Sequence, residues 1–149
     1  RTKRCGSGKR NGIPGESTSA ANVSFPVSGF LTPPSGTVNT RLGVIGYEGD
    51  LGFTGDTLKL NSATVSNSLS PATNFFNSTT SRLGTRITAK TPDFINNLGF
   101  DVDVFDASGI LGNSATSATI SLTTTSETYF PAVVTFATEL YAPNLNAVK

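Results

Sequence analysis

The stretch LGFDVDVFDASGILGNSATSATISL, residues 98–122, decides the fold. Its first arm alternates strictly, with Leu98, Phe100, Val102 and Val104 pointing one way and Asp101 and Asp103 the other. The pattern breaks at Asp106-Ala-Ser-Gly109 and returns as Ala118, Ile120 and Leu122 against Thr119, Ser121 and Thr123. Period-two patterning on both arms, joined by a turn-rich connection, predicts two antiparallel strands of one hairpin. The apolar face is expected in the core. Asp101 and Asp103 are then expected on the wet face, with Asp106 opening an Asx-type turn before Gly109.

The rest of the chain reads as further strands around this pair. Residues 23–31 (VSFPVSGFL) alternate, and Pro26 removes a backbone donor, which marks an edge or bulged strand. After a Thr32-Pro-Pro-Ser-Gly36 turn comes a strand over residues 38–47, where Gly43 and Gly46 either kink the chain or admit a close neighbour. A glycine-punctuated loop carrying Glu48, Asp50 and Asp56 leads to a strand over residues 57–65, with Lys59 facing away from Leu58 and Leu60. Phe75 and Phe76 are expected to pin a long Asn/Ser/Thr-rich loop to the body, ahead of a short strand at 83–89. Residues 91–99 (TPDFINNLG) carry helix punctuation and predict one or two helical turns. Residues 128–140 form a last strand, with Val134 and Phe136 facing in. The prediction is an all-β, two-sheet antiparallel sandwich, jelly-roll or immunoglobulin-like. It occupies residues 23–141, between a flexible basic arm at 1–22 and a C-terminal linker at 142–149.

Composition agrees. The 149 residues suffice for one domain with a real core. A charged fraction of 14% and a hydrophobic fraction of 36% leave room for Ser and Thr, and Thr suits half-exposed strand positions. Residues 1–10 hold Arg1, Lys3, Arg4, Lys9 and Arg10 with no acid, while the remainder carries six bases and ten acids, about −4. Such a cluster is a candidate polyanion-binding arm, although no aromatic residues interleave it to stack bases. The lone Cys5 has no internal disulfide partner and is a candidate intermolecular crosslink. The lack of any Met is expected of a processed or excised piece. No apolar run approaches the roughly 18 residues of a membrane helix.

The absence of His removes the commonest general base and excludes Ser–His–Asp and Cys–His machinery and conventional zinc sites. No GxGxxG or GxxxxGK[ST] motif is present. The chain is therefore expected not to be an enzyme and to need no cofactor. Calcium is the one exception entertained, with Asp101, Asp103 and Asp106 as candidate ligands near Asn113. Asn22-Val-Ser and Asn77-Ser-Thr match the N-glycosylation sequon.

Four stretches carry a resemblance: YEGDLGFTGDTLKLN (47–61), NFFNST (74–79), LGFDVDVFDASGILGNSATSATISLTT (98–124) and YFPAVVTFATELYAP (129–143). Together the region 38–143 resembles a β-rich domain of long secreted bacterial surface proteins of adhesin or gliding type, usually preceding tandem immunoglobulin-like repeats. The resemblance implies a secreted or cell-surface, non-enzymatic structural or adhesive module. Its expected partners are copies of itself or neighbouring domains, met through edge-strand addition into a filament. Two other readings stay open: a capsid-like jelly roll whose basic arm binds nucleic acid or another polyanion, and a calcium-dependent carbohydrate-binding module.

Overall fold

The structure is a computed structural model and describes residues 3–4 and 22–143. Among the described residues there are ten strands: β1 (Lys3–Arg4), β2 (Val23–Ser28), β3 (Thr40–Gly49), β4 (Asp56–Leu60), β5 (Ala63–Val65), β6 (Thr80–Arg82), β7 (Thr85–Arg86), β8 (Gly99–Asp106), β9 (Ser117–Thr124) and β10 (Phe130–Thr138). They form a six-stranded sheet in the order β1-β10-β3-β8-β6-β7 and a four-stranded sheet in the order β2-β9-β4-β5. Every pairing is antiparallel except β6 with β8. The chain is an all-β, two-sheet sandwich, as the alternation predicted.

Alternation explains what each sheet buries. On β9, Ala118, Ile120 and Leu122 face in, and on β4 Leu58 and Leu60 do the same. From the other sheet Leu42 and Val44 of β3, Phe105 of β8 and Phe136 of β10 meet them. Each fully buried Leu or Ile contributes about 1.5–3 kcal/mol of transfer free energy. Phe75 and Phe76 are buried between the sheets, pinning their loop as expected. Aromatic contacts link Phe105 with Phe75 (4.8 Å between centroids), Phe75 with Phe76 (5.0 Å, edge-on) and Phe76 with Tyr129 (4.6 Å). Pro26 sits on β2, which pairs only with β9 among the described residues and so is an edge strand. Lys59 lies opposite Thr64 and Ser121 on the outward phase of β4.

Four expectations are corrected. First, β8 and β9 are not one hairpin: β8 belongs to the six-stranded sheet and β9 to the four-stranded one. The connection carries the chain across the end of the sandwich, with Ala107 and Leu111 buried in the core. It is tied to residues 32–40 by Ala107 N–H to Thr40 O (2.9 Å), Gly109 N–H to Val38 O (2.9 Å) and Thr32 Oγ1 to Gly112 O (2.8 Å). Second, β8 is turned over. Asp101, Asp103 and Phe105 face inward, while Phe100, Val102 and Val104 form the outer face.

Third, there is no helix among the described residues, and 91–99 is a loop. Its polar groups are spent on neighbours instead: Asp93 pairs with Arg86, and the Asn97 backbone and side-chain N–H groups both donate to Ser78 O (2.8 and 2.7 Å). Fourth, the single strand expected over 57–65 folds back at Asn61 (φ 54°) as the β4–β5 hairpin. The strand expected at 83–89 is replaced by the β6–β7 hairpin, whose turn residues Leu83 and Gly84 both have positive φ (53° and 76°).

Candidate functional site

The inward acids hold the segment from Asn74 to Arg82 in place. Between the bridge at Asn74 and β6, the Phe76, Asn77 and Thr79 amides find side-chain acceptors rather than a neighbouring strand. Asp56 Oδ2 accepts from Phe76 N–H (2.5 Å). Asp101 Oδ1 accepts from both Asn77 N–H (2.9 Å) and Thr79 N–H (3.0 Å). Asp103 Oδ1 accepts from the Ser81 hydroxyl (2.5 Å). Buried donors need acceptors, and these carboxylates supply them.

Glycine makes the room. A Cβ at Gly46 would lie 2.4 Å from the Phe76 ring, and one at Gly49 would lie 2.6 Å from Asp101 Oδ2 and from the Phe76 carbonyl. Gly46 thus admits a close neighbour rather than kinking β3.

A second group of acids meets where β4 begins and β9 ends. Gly55 (φ 136°) packs so closely on the Thr125–Ser126 turn that a Cβ there would lie 2.6 Å from both hydroxyls. Thr125 N–H donates to Gly55 O (3.0 Å) and the Ser126 hydroxyl to Thr54 O (2.7 Å). The Thr124 hydroxyl donates to Glu127 O (2.7 Å), tightening the turn. Glu127 is thereby buried, 4% exposed, and Asp56 is completely so. The Asp56 and Glu127 carboxyls lie close enough to perturb each other's ionisation. Glu127 Oε1 also accepts from Asp50 N–H (2.5 Å). Above Glu127 opens a shallow cleft of about 290 Å³ bordered by Glu48, Asp50, Phe53 and Phe130.

No base compensates this charge among the described residues, whose ion pairs are Arg86–Asp93 and Lys90–Asp93. Burial accordingly pushes the acids toward their protonated forms. Asp101 rises to about 6, Asp103 to about 7 and Glu127 to about 8, each chiefly through desolvation. Burial raises Asp56 too, although the N–H bond from Phe76 pulls the other way. The Tyr129 phenol is raised by burial and by the charges of Asp56 and Glu127.

The candidate calcium set does not converge. Asp101 and Asp103 face the interior, whereas Asp106 is exposed on the opposite phase of β8. Its Oδ1 accepts from Ser108 N–H (3.0 Å), the Asx turn that was expected, and the Ser108 side chain and backbone together hold it below the usual carboxylate range. Asp101 and Asp103 on a wet face are corrected outright, since the amides and hydroxyl above compensate their burial. No group of three or more Asp, Glu, Cys or His residues is arranged to hold a metal among the described residues. Arg1, Lys9, Arg10 and Cys5 lie outside the described residues, and of Lys3 and Arg4 only the backbone pairing with β10 is described. The Asn77 sequon is sealed: its side chain is buried and donates to Leu69 O (2.7 Å).

Sequence reasoning placed Asp56 in a loop and passed over Glu127 and Tyr129. The signal for Asp56 was available, because it stands in phase with Leu58 and Leu60, as Asp101 and Asp103 stand in phase with Phe105.

Turning the acids inward turns apolar residues outward. On the outer face of the six-stranded sheet Phe130, Tyr47 and Phe100 are directly paired across β10, β3 and β8, and Val133, Ile45 and Val102 form the next row. Phe130 is 58% exposed and Tyr47 48%, and the Tyr47 and Phe100 rings lie 5.4 Å apart. Phe130 joins this face to the acidic cleft. No helix among the described residues is long and apolar enough to cross a membrane. No family model, curated protein or solved structure matches the chain, so its function is to be read from these acids and this face.

Proposed function

We propose that this chain is a non-enzymatic structural or adhesive module of a secreted bacterial surface protein, which associates with copies of itself or with neighbouring domains. The observation that carries this reading is the outer face of the six-stranded sheet. Two adjacent cross-strand rows, Phe130–Tyr47–Phe100 and Val133–Ile45–Val102, present aromatic and branched side chains to solvent. Contiguous apolar surface on a sheet is unfavourable in water and marks an interaction site. Aromatic residues supply large contact area at little cost in conformational entropy.

Edge strand β2 offers a second means of assembly, since its outer edge pairs with no strand among the described residues. The secreted, bacterial setting comes from the resemblance of residues 38–143. The polyanion-binding alternative depends on the basic arm, outside the described residues save Lys3 and Arg4.

Light scattering over a wide concentration range, with reductant present to remove any contribution of Cys5, tests the reading. The native chain is expected to associate reversibly. Tyr47→Ser combined with Phe130→Ser is expected to weaken association at least tenfold without lowering the unfolding midpoint, because both residues are exposed. A native chain that stays monomeric at every concentration would contradict it.

A further inference from the structure

Four buried oxygen acceptors around the start of β4 have no hydrogen-bond donor: Asp56 Oδ1, Glu127 Oε2, Asn74 Oδ1 and the Tyr129 phenol oxygen. Each belongs to a residue at least nine-tenths buried. They are neighbours in the fold. Asn74 forms a parallel β-bridge with Asp56, the Asp56 and Glu127 carboxyls perturb each other's ionisation, and the Tyr129 phenol feels the charge of both acids. Buried acceptors without donors are uncommon in folded proteins and mark a missing partner. Here two of the four can carry negative charge, and no basic side chain pairs with either among the described residues.

We infer that Asp56 and Glu127, with the neutral oxygens of Asn74 and Tyr129 beside them, form a site for a hard divalent cation of the calcium class. The donor set is all oxygen, two carboxyls and neutral groups, which suits calcium and not the nitrogen- and sulfur-preferring metals. Glu127 opens onto the cleft bordered by Glu48 and Asp50, which gives a hydrated ion an acidic path of entry. This site is distinct from Asp101, Asp103 and Asp106. It does not depend on the module being adhesive.

The other charges facing the pair are Asp50 and, more distantly, Asp101, both acidic, and they favour a cation further.

The experiment uses the full chain at about pH 8, where thermal unfolding is followed during titration with calcium chloride and with sodium chloride of equal ionic strength. Calcium is expected to raise the midpoint by on the order of 5 °C, saturably, with no such rise from sodium chloride. Asp56→Asn combined with Glu127→Gln is expected to abolish the rise. No calcium-specific rise, or an equal rise in the double variant, would overturn the inference. Terbium luminescence gives an independent readout that does not require the double variant to fold. Terbium is expected to be sensitised by Tyr129 in the native chain, and Tyr129→Phe to lose most of that emission although Tyr47 and Tyr141 remain. Emission unaffected by Tyr129→Phe, or absent from the native chain, would overturn it equally.

Discussion

Asp101 serves as a substitute for a neighbouring strand: one carboxylate oxygen accepts the Asn77 and Thr79 amides. Removing it leaves two buried N–H groups unpaired, at about 1–3 kcal/mol each. Asp101→Ala is therefore expected to cost about 2–5 kcal/mol by denaturant unfolding, well beyond an average substitution. The same acids make stability depend on pH. Their folded pKa values, about 6 for Asp101, about 7 for Asp103 and about 8 for Glu127, lie above the unfolded values of 3.8 for Asp and 4.5 for Glu. The folded state binds more protons than the unfolded one, so stability from this source is complete below about pH 4 and lost as pH climbs through these values. The unfolding midpoint is expected to fall steadily between about pH 5 and pH 9. Asp103→Asn, which keeps an acceptor for Ser81, is expected to flatten the part of that fall around pH 7. A midpoint rising with pH over this range would contradict the burial of these acids.

At the scale of the element, β3 depends on its inward glycines. Gly49→Ala places a methyl 2.6 Å from the Phe76 backbone, which cannot swing aside as a side chain could. It is expected to cost at least about 1–3 kcal/mol, read as a lower denaturant midpoint at unchanged m-value. The strands themselves were legible: β2, β3, β8, β9 and β10 lie where alternation placed them, and Val134 and Phe136 face inward as expected. The phase of β8 was not. Alternation has no sign, and the usual rule that apolar residues go inside selects the wrong face when a distant segment brings its own unsatisfied donors to the acids. Phe105, in phase with Asp101 and Asp103, was the local clue. The pairing of β8 with β9 was misread because a ten-residue, turn-rich connection fits a hairpin or a crossing between sheets equally well. Its buried Ala107 and Leu111 decide for the crossing. The Asp56–Glu127 pair lay furthest from view. It joins residues 71 positions apart, and only the closed sandwich brings them together.

For the whole molecule, one inversion has two consequences. Turning β8 over sends Asp101 and Asp103 into the space between the sheets, where they secure the Asn74–Arg82 segment and resist ionisation. It also sends Phe100 and Val102 out to join Tyr47, Ile45, Phe130 and Val133 in the surface on which the assembly reading stands. Both consequences require that Phe100 be wet and Asp103 dry. Thiol labelling in dilute solution measures this directly, using Phe100→Cys and Asp103→Cys, each in a Cys5→Ser background. Phe100→Cys is expected to react nearly as fast as a free thiol, and Asp103→Cys at least about a hundredfold more slowly, because labelling there must wait for the structure to open. Labelling of Asp103→Cys as fast as Phe100→Cys, or faster, would return the acids to the surface and contradict the account.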